Sequence, residues 1–340
     1  MKGVDHHETP LFTQRTVPPP RTLVPRILAA LAAGAFTLGA QPYVIAAPDQ
    51  MTSVTEDVVT SEGVAGSIDG TAATITVGTK GGGGTPQIGT SLGHKRDIYG
   101  SYYTSSEADK DITLTGGRAV VRSGSMGGAH GAYALLEVGG SARILTPSAE
   151  ITDGRMGGGV QAGSAEVRAT GSGNAAAEVT QAVLKITDGR FSYGSVDGGT
   201  SRALTEAGTA RATVSGCRVE VDGGYYWMGG SGGVASVDTK TGTAQAKASE
   251  NKIYLRGGEW RGSIYGGVAT RGMGYTRLEG VSEGNEVHIS GGSYSGGIYG
   301  GGCICGGRRR LCGDRPQQYD RDHGRARSLQ GRTRGRLCCR

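Results

Sequence analysis

The feature that most constrains this chain is a repeat in which a short β-like run closes at a glycine about every 34 residues. Successive closing glycines are 35, 35, 34 and 34 residues apart. They are Gly154, Gly189, Gly224, Gly258 and Gly292. A more distant copy, Gly117, precedes Gly154 by 37 residues. A period of this length indicates supersecondary units that bury their apolar faces by stacking on one another.

Each unit predicts strands rather than helix. Apolar and polar residues alternate before the closing glycine, as they do from Ile253 to Leu255 and from Val287 to Ile289, which is the period of a strand. Glycine supplies 64 of the 340 residues, and each would cost a helix about 1 kcal/mol. The predicted fold class is therefore all-β, a parallel β-solenoid of ~34-residue glycine-rich repeats, with successive coils about 4.8 Å apart.

The same repeat predicts which side chains stack. An apolar residue lies three positions before each glycine, which places Ile186, Val221, Leu255 and Ile289 in one interior file. A large side chain lies two positions after the glycine in the last five copies. Its last four copies, Phe191, Tyr226, Trp260 and Tyr294, are expected to form an aromatic ladder. A ladder that is interior or covers a face is favoured over an exposed surface that stacks sugars, because the position is fixed in the repeat.

The N-terminus has the pattern of an export signal. Basic residues up to Arg26 are followed by fourteen uncharged residues, 27–40. This segment is shorter than the roughly 20 residues of a transmembrane helix and is typical of the apolar region of a secretory signal. Cleavage is predicted between Ala40 and Ala47. The predicted domains are a signal with a long basic leader (1–47), an N-terminal glycine-rich β region (48–105), solenoid repeats (106–302) and an arginine- and cysteine-rich, disordered tail (303–340).

The tail also carries the charge of the molecule. The whole chain has a formal charge of +6. Residues 303–340 contain eleven arginines and three aspartates, a charge of +8, and subtracting this from the total leaves −2 for the rest. The body therefore has no basic stripe for nucleic acid. Five of the six cysteines are in the tail, and Cys217 alone cannot form an internal disulfide framework.

The tail interrupts the repeat where another unit is due, near residues 319–326. Shifting the reading frame by one base converts arginine codons of the CGN set to Gly, Ala, Asp, Glu or Val, and cysteine codons to Val or Ala. That composition matches the body, so we interpret the tail as a frameshift product. Arginines that contact nucleic acid, or a zinc site at Cys303, Cys305, Cys338 and Cys339, are the alternatives. The cysteines lack paired C-x-x-C spacing.

The segments beginning at Asn251 and Asn285 share the pattern N-x-(V/I)-x-(I/L)-x-G-G-x-(Y/W)-x-G-x-I-Y-G-G. This pattern resembles the glycine-rich repeats of bacterial autotransporter passengers and adhesin-like surface proteins. The resemblance covers residues 110–302 and is sharpest over 251–302. It implies a β-helical passenger that is exported and then carried outward by a C-terminal β-barrel. No run of barrel strands follows Gly302, so the chain is expected to be a truncated passenger without its barrel.

The expected function is therefore that of a non-enzymatic surface passenger fragment. The expected location is the cell surface or extracellular space for the intact family member and the periplasm for this fragment. A host or bacterial surface glycan or protein is the expected partner, with no nucleic acid and with the outer membrane reached only through the missing barrel. The alternative is a passenger with hydrolase or lyase activity on the solenoid.

No catalytic, cofactor-binding or metal-binding residue is predicted. His288 lies between two apolar residues of one strand and is expected to be exposed. Ser231 stands in a formal G-x-S-x-G, but no helix is expected after it. A Ser-His-Asp arrangement stays open, since its members converge only in space.

Residues 80–85 have the composition of a phosphate-binding P-loop, but the lysine precedes the glycines instead of following them. The Asp-Gly pairs at Asp153, Asp188 and Asp222 are expected to form turns rather than calcium sites.

Overall fold

A computed structural model describes residues 43–45, 57–59, 67–78, 86–90, 94–95, 97–271, 278–305, 308–310 and 334–336. All of them belong to one compact unit, Gly39–Arg340. The described residues form strands and loops without a helix, and most strands pair in parallel with the equivalent strand one coil away. The predicted all-β, parallel β-solenoid is confirmed. Its six coils span residues 110–136, 140–168, 175–205, 209–239, 243–271 and 278–305.

Each coil contributes strands to four faces. The first coil opens with one long strand, Lys110–Val121, that serves both face 1 and face 2. The other strands of face 1 are Gly140–Leu145, Ala175–Thr180, Thr209–Ser215, Thr243–Ser249 and Leu278–Glu283. The other strands of face 2 are Ser148–Ile151, Val183–Ile186, Arg218–Val221, Lys252–Leu255 and Glu286–Ile289.

Face 3 is narrow and face 4 is wide. The two-residue strands of face 3 are Ser125–Met126, Arg155–Met156, Arg190–Phe191, Tyr225–Tyr226, Glu259–Trp260 and Ser293–Tyr294. The strands of face 4 in the first four coils are Ala129–Leu136, Val160–Arg168, Val196–Thr205 and Gly230–Thr239. In coils 5 and 6 this strand is split, giving Ile264–Tyr265 with Val268–Arg271 and Ile298–Tyr299 with Gly302–Cys305.

Parallel pairing extends before and after these coils. Ser67–Val77 pairs with Lys110–Val121, and Ile98–Ser105 pairs with Ala129–Leu136. Further towards the N-terminus, face 4 continues through Asp57–Val59 to Tyr43–Ile45. Three short pairs are antiparallel: Gly89–Thr90 with His94–Lys95, Gly302–Cys305 with Arg308–Arg310, and Leu278–Glu283 with Arg334–Arg336. Residues 1–40 of the predicted export signal and most of the tail lie outside the described residues, so their predicted properties stay predictions.

The interior is built from files, in each of which side chains at the same repeat position of successive coils stack on one another. Ile186, Val221, Leu255 and Ile289 are register partners on successive coils, and each is at most 5% exposed. The predicted aliphatic file is therefore confirmed. Each of these side chains covers the one before it, and a second buried file, Leu184, Val219, Ile253 and Val287, runs beside it on the same strands, so stacking gives a continuous core.

The aromatic ladder is also confirmed, and it lies inside face 3. Phe191, Tyr226, Trp260 and Tyr294 are register partners on coils 3 to 6. The rings of Phe191 and Tyr226 stack with centroids 4.7 Å apart, and those of Tyr226 and Trp260 with centroids 3.9 Å apart. The Tyr226 hydroxyl donates a hydrogen bond to the Gly223 carbonyl at 2.6 Å, so the one polar atom of that ring is satisfied inside the core.

The corner between faces 1 and 2 holds a buried asparagine ladder. The corner begins with a left-handed residue, such as Gln181 at φ 54° or Glu250 at φ 57°. In coils 5 and 6 the next residue is asparagine. Asn251 accepts a hydrogen bond from the Cys217 amide at 3.1 Å and donates from Nδ2 to Oδ1 of Asn285 at 2.9 Å. Both asparagines are fully buried, so each satisfies corner backbone groups that water cannot reach.

Face 4 passes close to this corner, and glycine makes the approach possible. A Cβ atom on Gly199 would lie 2.9 Å from Sγ of Cys217, and one on Gly233 would lie 2.9 Å from Oδ1 of Asn251. The pair Gly198 and Gly199 also separates two polar residues of face 4, the buried Asp197 and the half-buried Thr200. At these glycines the backbone of face 4 lies against the opposite corner.

Candidate functional site

The residues that the sequence suggested as candidates for catalysis or metal binding lie on different strands and turns of the solenoid. His288 faces away from the buried Val287 and Ile289, as expected, and its side chain is 25% exposed. Its Nε2 lies 2.8 Å from a carboxylate oxygen of Glu286, and its ring stacks on Tyr254 with centroids 4.6 Å apart. The hydrogen bond with His288 holds the pKa of Glu286 below its usual range. This is a ladder of surface side chains on face 2.

Ser231 lies on face 4 and is buried, with 2% exposure. Its hydroxyl donates to Oδ1 of Asp197 at 2.6 Å, and the Ser195 hydroxyl donates to the other carboxylate oxygen. Burial raises the pKa of Asp197 against the opposing effect of these two hydrogen bonds. The strand carrying Ser231 runs on to Thr239 and is followed by another strand. The strand-to-helix geometry of a nucleophile elbow is therefore absent around Ser231.

A histidine does occupy the same file as Asp197, but two coils away. His130 pairs in register with Gln161, and Gln161 with Asp197. Two ladder steps correspond to roughly 9–10 Å, which is too far for a hydrogen bond between the side chains. This file therefore does not assemble a Ser-His-Asp triad from His130, Asp197 and Ser231.

His130 instead belongs to a packed cluster at the N-terminal end of face 4. Its Nε2 lies 3.6 Å from Oδ2 of Asp97, and its ring stacks on Tyr99 with centroids 4.9 Å apart. Tyr102 and Tyr133 stack on each other beside them. Burial raises the pKa of Asp97, but the contact with His130 and the Gly128 amide outweigh it and leave the pKa lowered. Tyr99, Tyr102 and His130 are at most 8% exposed, so the rings fill this site themselves.

The Asp-Gly pairs form turns. Oδ1 of Asp153 accepts from the Gly154 amide at 2.6 Å, and Oδ1 of Asp188 accepts from the Gly189 amide at 2.7 Å. Asp222 bonds Arg256 at 2.9 Å. Within the described part of the chain, no group of three or more metal-ligating side chains is found. Cys303 is a buried free thiol, and burial raises its pKa to about 11. Residues 80–85, Cys338 and Cys339 lie outside the described residues.

The exposed surface of face 3 is different in kind from the rest of the solenoid. Three large apolar side chains are exposed in the described part of the chain, Tyr193 (71%), Trp227 (49%) and Met228 (46%). All three follow face 3 strands on adjacent coils. Such a cluster marks an interaction site more often than scattered single residues do.

Arginines accompany these rings. The guanidinium carbon of Arg261 lies 4.7 Å from the Trp227 ring centroid and 5.2 Å from that of Tyr225. Arg190 is the register partner of Tyr225 on the preceding coil, and its guanidinium carbon lies 5.6 Å from the Tyr225 ring centroid. We call this surface the face 3 strip. It consists of Arg190, Tyr193, Tyr225, Trp227, Met228 and Arg261.

The repeat does not predict the face 3 strip, because the aromatic residues of the strip do not recur at one repeat position. Trp227 directly follows the interior residue Tyr226, so alternation along the strand turns its ring outward. Tyr193 has no aromatic equivalent on the coils before and after it. The available sequence signal was the adjacent pair Tyr226 and Trp227, because neighbouring side chains along a strand cannot both point inward.

None of the described residues belongs to a helix of the length and apolarity needed to cross a membrane. The chain matches no protein-family model, no curated protein and no solved structure. What is shown of this chain is therefore its own architecture, a parallel β-solenoid.

Proposed function

We propose that this chain is a non-enzymatic, exported surface passenger of the autotransporter or adhesin-like type, in which the solenoid presents a binding surface. The exposed face 3 strip is the single observation that carries the proposal. A soluble solenoid without a partner would gain by covering its faces mostly with charged and small polar residues, as face 1 does. Tyr193, Trp227 and Met228 instead hold apolar surface in water on adjacent coils, as recognition surfaces do.

The regular coils support the same proposal. Each described coil from 110 to 305 carries its four faces without an inserted domain, and ladder ion pairs such as Arg143 to Glu178 at 2.8 Å decorate the outer surface. A rigid rod of this kind holds a binding surface at a fixed distance from whatever anchors it. The repeats' resemblance to autotransporter passengers and the predicted export signal point to the cell surface as the place of action, with a surface glycan or protein as partner.

Surface display provides the test. The full chain, joined in frame to an outer-membrane translocator, should reach the bacterial surface and increase adhesion of the displaying cells to host or bacterial cells. The variant Trp227→Ala should be displayed equally and adhere less. The matched exchange Tyr254→Ala on face 2, which removes a partly buried ring outside the strip, should leave adhesion unchanged. Equal adhesion by cells displaying the chain and by cells displaying the translocator alone would refute the proposal.

The alternative, a hydrolase or lyase activity on the solenoid, is favoured by one observation. Burial raises the pKa of the Asp197 carboxyl, which is the direction that favours the protonated form of a general acid. Turnover of a polysaccharide or peptide substrate that is abolished in a folded Asp197→Asn variant would establish this function in place of the first.

A further inference from the structure

We propose that the face 3 strip binds an acidic polysaccharide, with sugar rings against Tyr193 and Trp227 and sugar carboxylates on Arg190 and Arg261. This inference rests on the proposed surface function and adds the chemical class of the ligand. The strip crosses coils 3 to 5 along the solenoid axis. It therefore suits an extended ligand that repeats the same chemistry along its length.

The aromatic rings supply the apolar half of the recognition. Trp227 and Tyr193 are about half and about three-quarters exposed, and Met228 extends the apolar surface between them and face 4. A pyranose ring has one face made largely of C–H groups, which packs on an aromatic ring while its hydroxyls stay in water. Rigid rings held by a solenoid lose little side-chain entropy when such a ligand binds.

The arginines supply the charged half. The outward positions of face 3 in coils 2 to 5 carry Arg155, Arg190, Tyr225 and Glu259 in register, and Arg261 adds a third arginine two residues after Glu259. Among the described residues, neither Arg155 nor Arg190 forms an ion pair with a carboxylate. Arg261 bonds one carboxylate oxygen of Glu259 through both Nε and Nη2, each at a long 3.4 Å. Asp153 and Asp188 lie at the turns before Arg155 and Arg190, where each accepts a hydrogen bond from a glycine amide. Along the outward positions of face 3 itself, three guanidinium groups accompany one carboxylate, which leaves positive charge there for an anionic ligand.

The position of the guanidinium groups favours carboxylates on rings over carboxylates on a flexible peptide. Arg190 and Arg261 lie over the rings of Tyr225 and Trp227, which restricts both guanidinium groups. Arg190 keeps its N–H edges for a bidentate carboxylate, while Arg261 offers the end of its guanidinium that does not bond Glu259. An acidic peptide would satisfy these edges but would lose chain entropy on binding. It would also leave the exposed rings uncovered, whereas a uronic acid brings the ring and the carboxylate together.

The chain's own two tryptophans make binding measurable. Trp227 is exposed, and Trp260 is buried with 1% exposure. With the full chain in solution, polygalacturonate should protect about one of the two tryptophans from acrylamide quenching and should shift the emission to shorter wavelength. Dextran, which is neutral, and polyglutamate, which is anionic without sugar rings, should do neither at the same concentration.

Titration calorimetry of variants locates the site. Trp227→Ala and Arg190→Gln should each weaken polygalacturonate binding by at least about tenfold. The same arginine exchange on face 1, Arg211→Gln, should leave the affinity within about twofold. Residues 303–340 carry eleven arginines that are identical in all variants, so binding by the tail would survive all three exchanges.

Binding that survives Trp227→Ala and Arg190→Gln, equal binding of polyglutamate or dextran, or no binding of polygalacturonate would each overturn the acidic-polysaccharide assignment. These outcomes are separate from those of the display experiment. Cells whose adhesion depends on Trp227 while the purified chain ignores polygalacturonate would retain the surface function and refute this ligand.

Discussion

At the scale of the residue, Asp197 carries a carboxyl whose affinity for a proton differs between the folded and the unfolded chain. Its carboxyl is 3% exposed, and the groups that bond it are the neutral hydroxyls of Ser195 and Ser231. Burial raises its pKa above the unfolded value of about 3.9. The folded state therefore holds the proton more tightly than the unfolded state does.

This shift predicts that Asp197 lowers the stability of the fold in a pH-dependent way. Below about pH 4 the carboxyl is protonated in both the folded and the unfolded chain, and it does not lower the free energy of unfolding. That free energy falls as the pH rises from there through the pKa of the folded state. Asp197→Asn keeps an acceptor for the serine hydroxyls and removes the ionisation. We expect it to raise the melting temperature at pH 7 and to leave it unchanged near pH 3.5. A stabilisation by Asp197→Asn that persists unchanged at pH 3.5 would contradict the argument.

Asn251 shows the opposite case, a buried polar side chain with its partners in place. It bonds the Cys217 amide and Asn285, so Asn251→Ala leaves buried backbone and amide groups without partners. The expected loss is about 1–3 kcal/mol in the free energy of unfolding, measured by urea denaturation. Lys252→Ala, at the next and outward-facing position, is the control and should cost less than about 0.5 kcal/mol. Equal losses in the two variants would show that the ladder contributes nothing specific.

At the scale of the element, face 3 divides two tryptophans between opposite environments. Trp260 is buried in the aromatic ladder against Tyr226, while Trp227 lies in the exposed strip. Trp260→Ala is expected to lower the free energy of unfolding by roughly 3–5 kcal/mol, because it opens a cavity in the ladder. Trp227→Ala should change it by less than about 1 kcal/mol. The two urea titrations, followed by circular dichroism, would contradict this assignment if Trp227→Ala proved the more damaging.

The interior of these elements was predictable from the sequence, and their outer surface was not. Spacing alone identified the files through Leu255 and Trp260, because the core of a solenoid requires the same kind of residue at the same position of every coil. Asn251 and Asn285 were visible in the repeat, but their role needed the corner geometry, in which one asparagine lies above the other. The face 3 strip was out of reach because exposure of Tyr193 and Trp227 depends on how the chain turns between faces 3 and 4.

At the scale of the whole molecule, stability comes from coils that each contact their neighbours. The parallel ladder of face 4 continues past the predicted last repeat residue, since Ala269 pairs with Cys303 and Thr270 with Ile304. Cys303 is fully buried. Arg308–Arg310 and Arg334–Arg336 are instead antiparallel strands at the ends of their sheets.

Two truncations separate these contributions. Ending the chain after Cys305 should leave the unfolding midpoint in urea nearly unchanged, because the last parallel strand of face 4 is kept. Ending it after Tyr299 should lower the midpoint, because the ladder between Val268–Arg271 and Gly302–Cys305 and the burial of Cys303 are lost. If the first truncation unfolds the solenoid by circular dichroism, the arginine-rich tail is a structural element and its interpretation as a frameshift product is wrong.

The register of the coils has a consequence for evolution of length. Coils 3 and 4 begin with the partners Ala175 and Ala210, and coil 5 places Ala244 in the same position. Removing residues 175–209 would join coil 2 to coil 4 with each file intact and would shorten the rod by one step of about 4.8 Å. A deletion of half that size would place face 1 residues on face 4 and break every file at once. Genes of this kind can therefore change the length of the solenoid only by inserting or deleting whole coils.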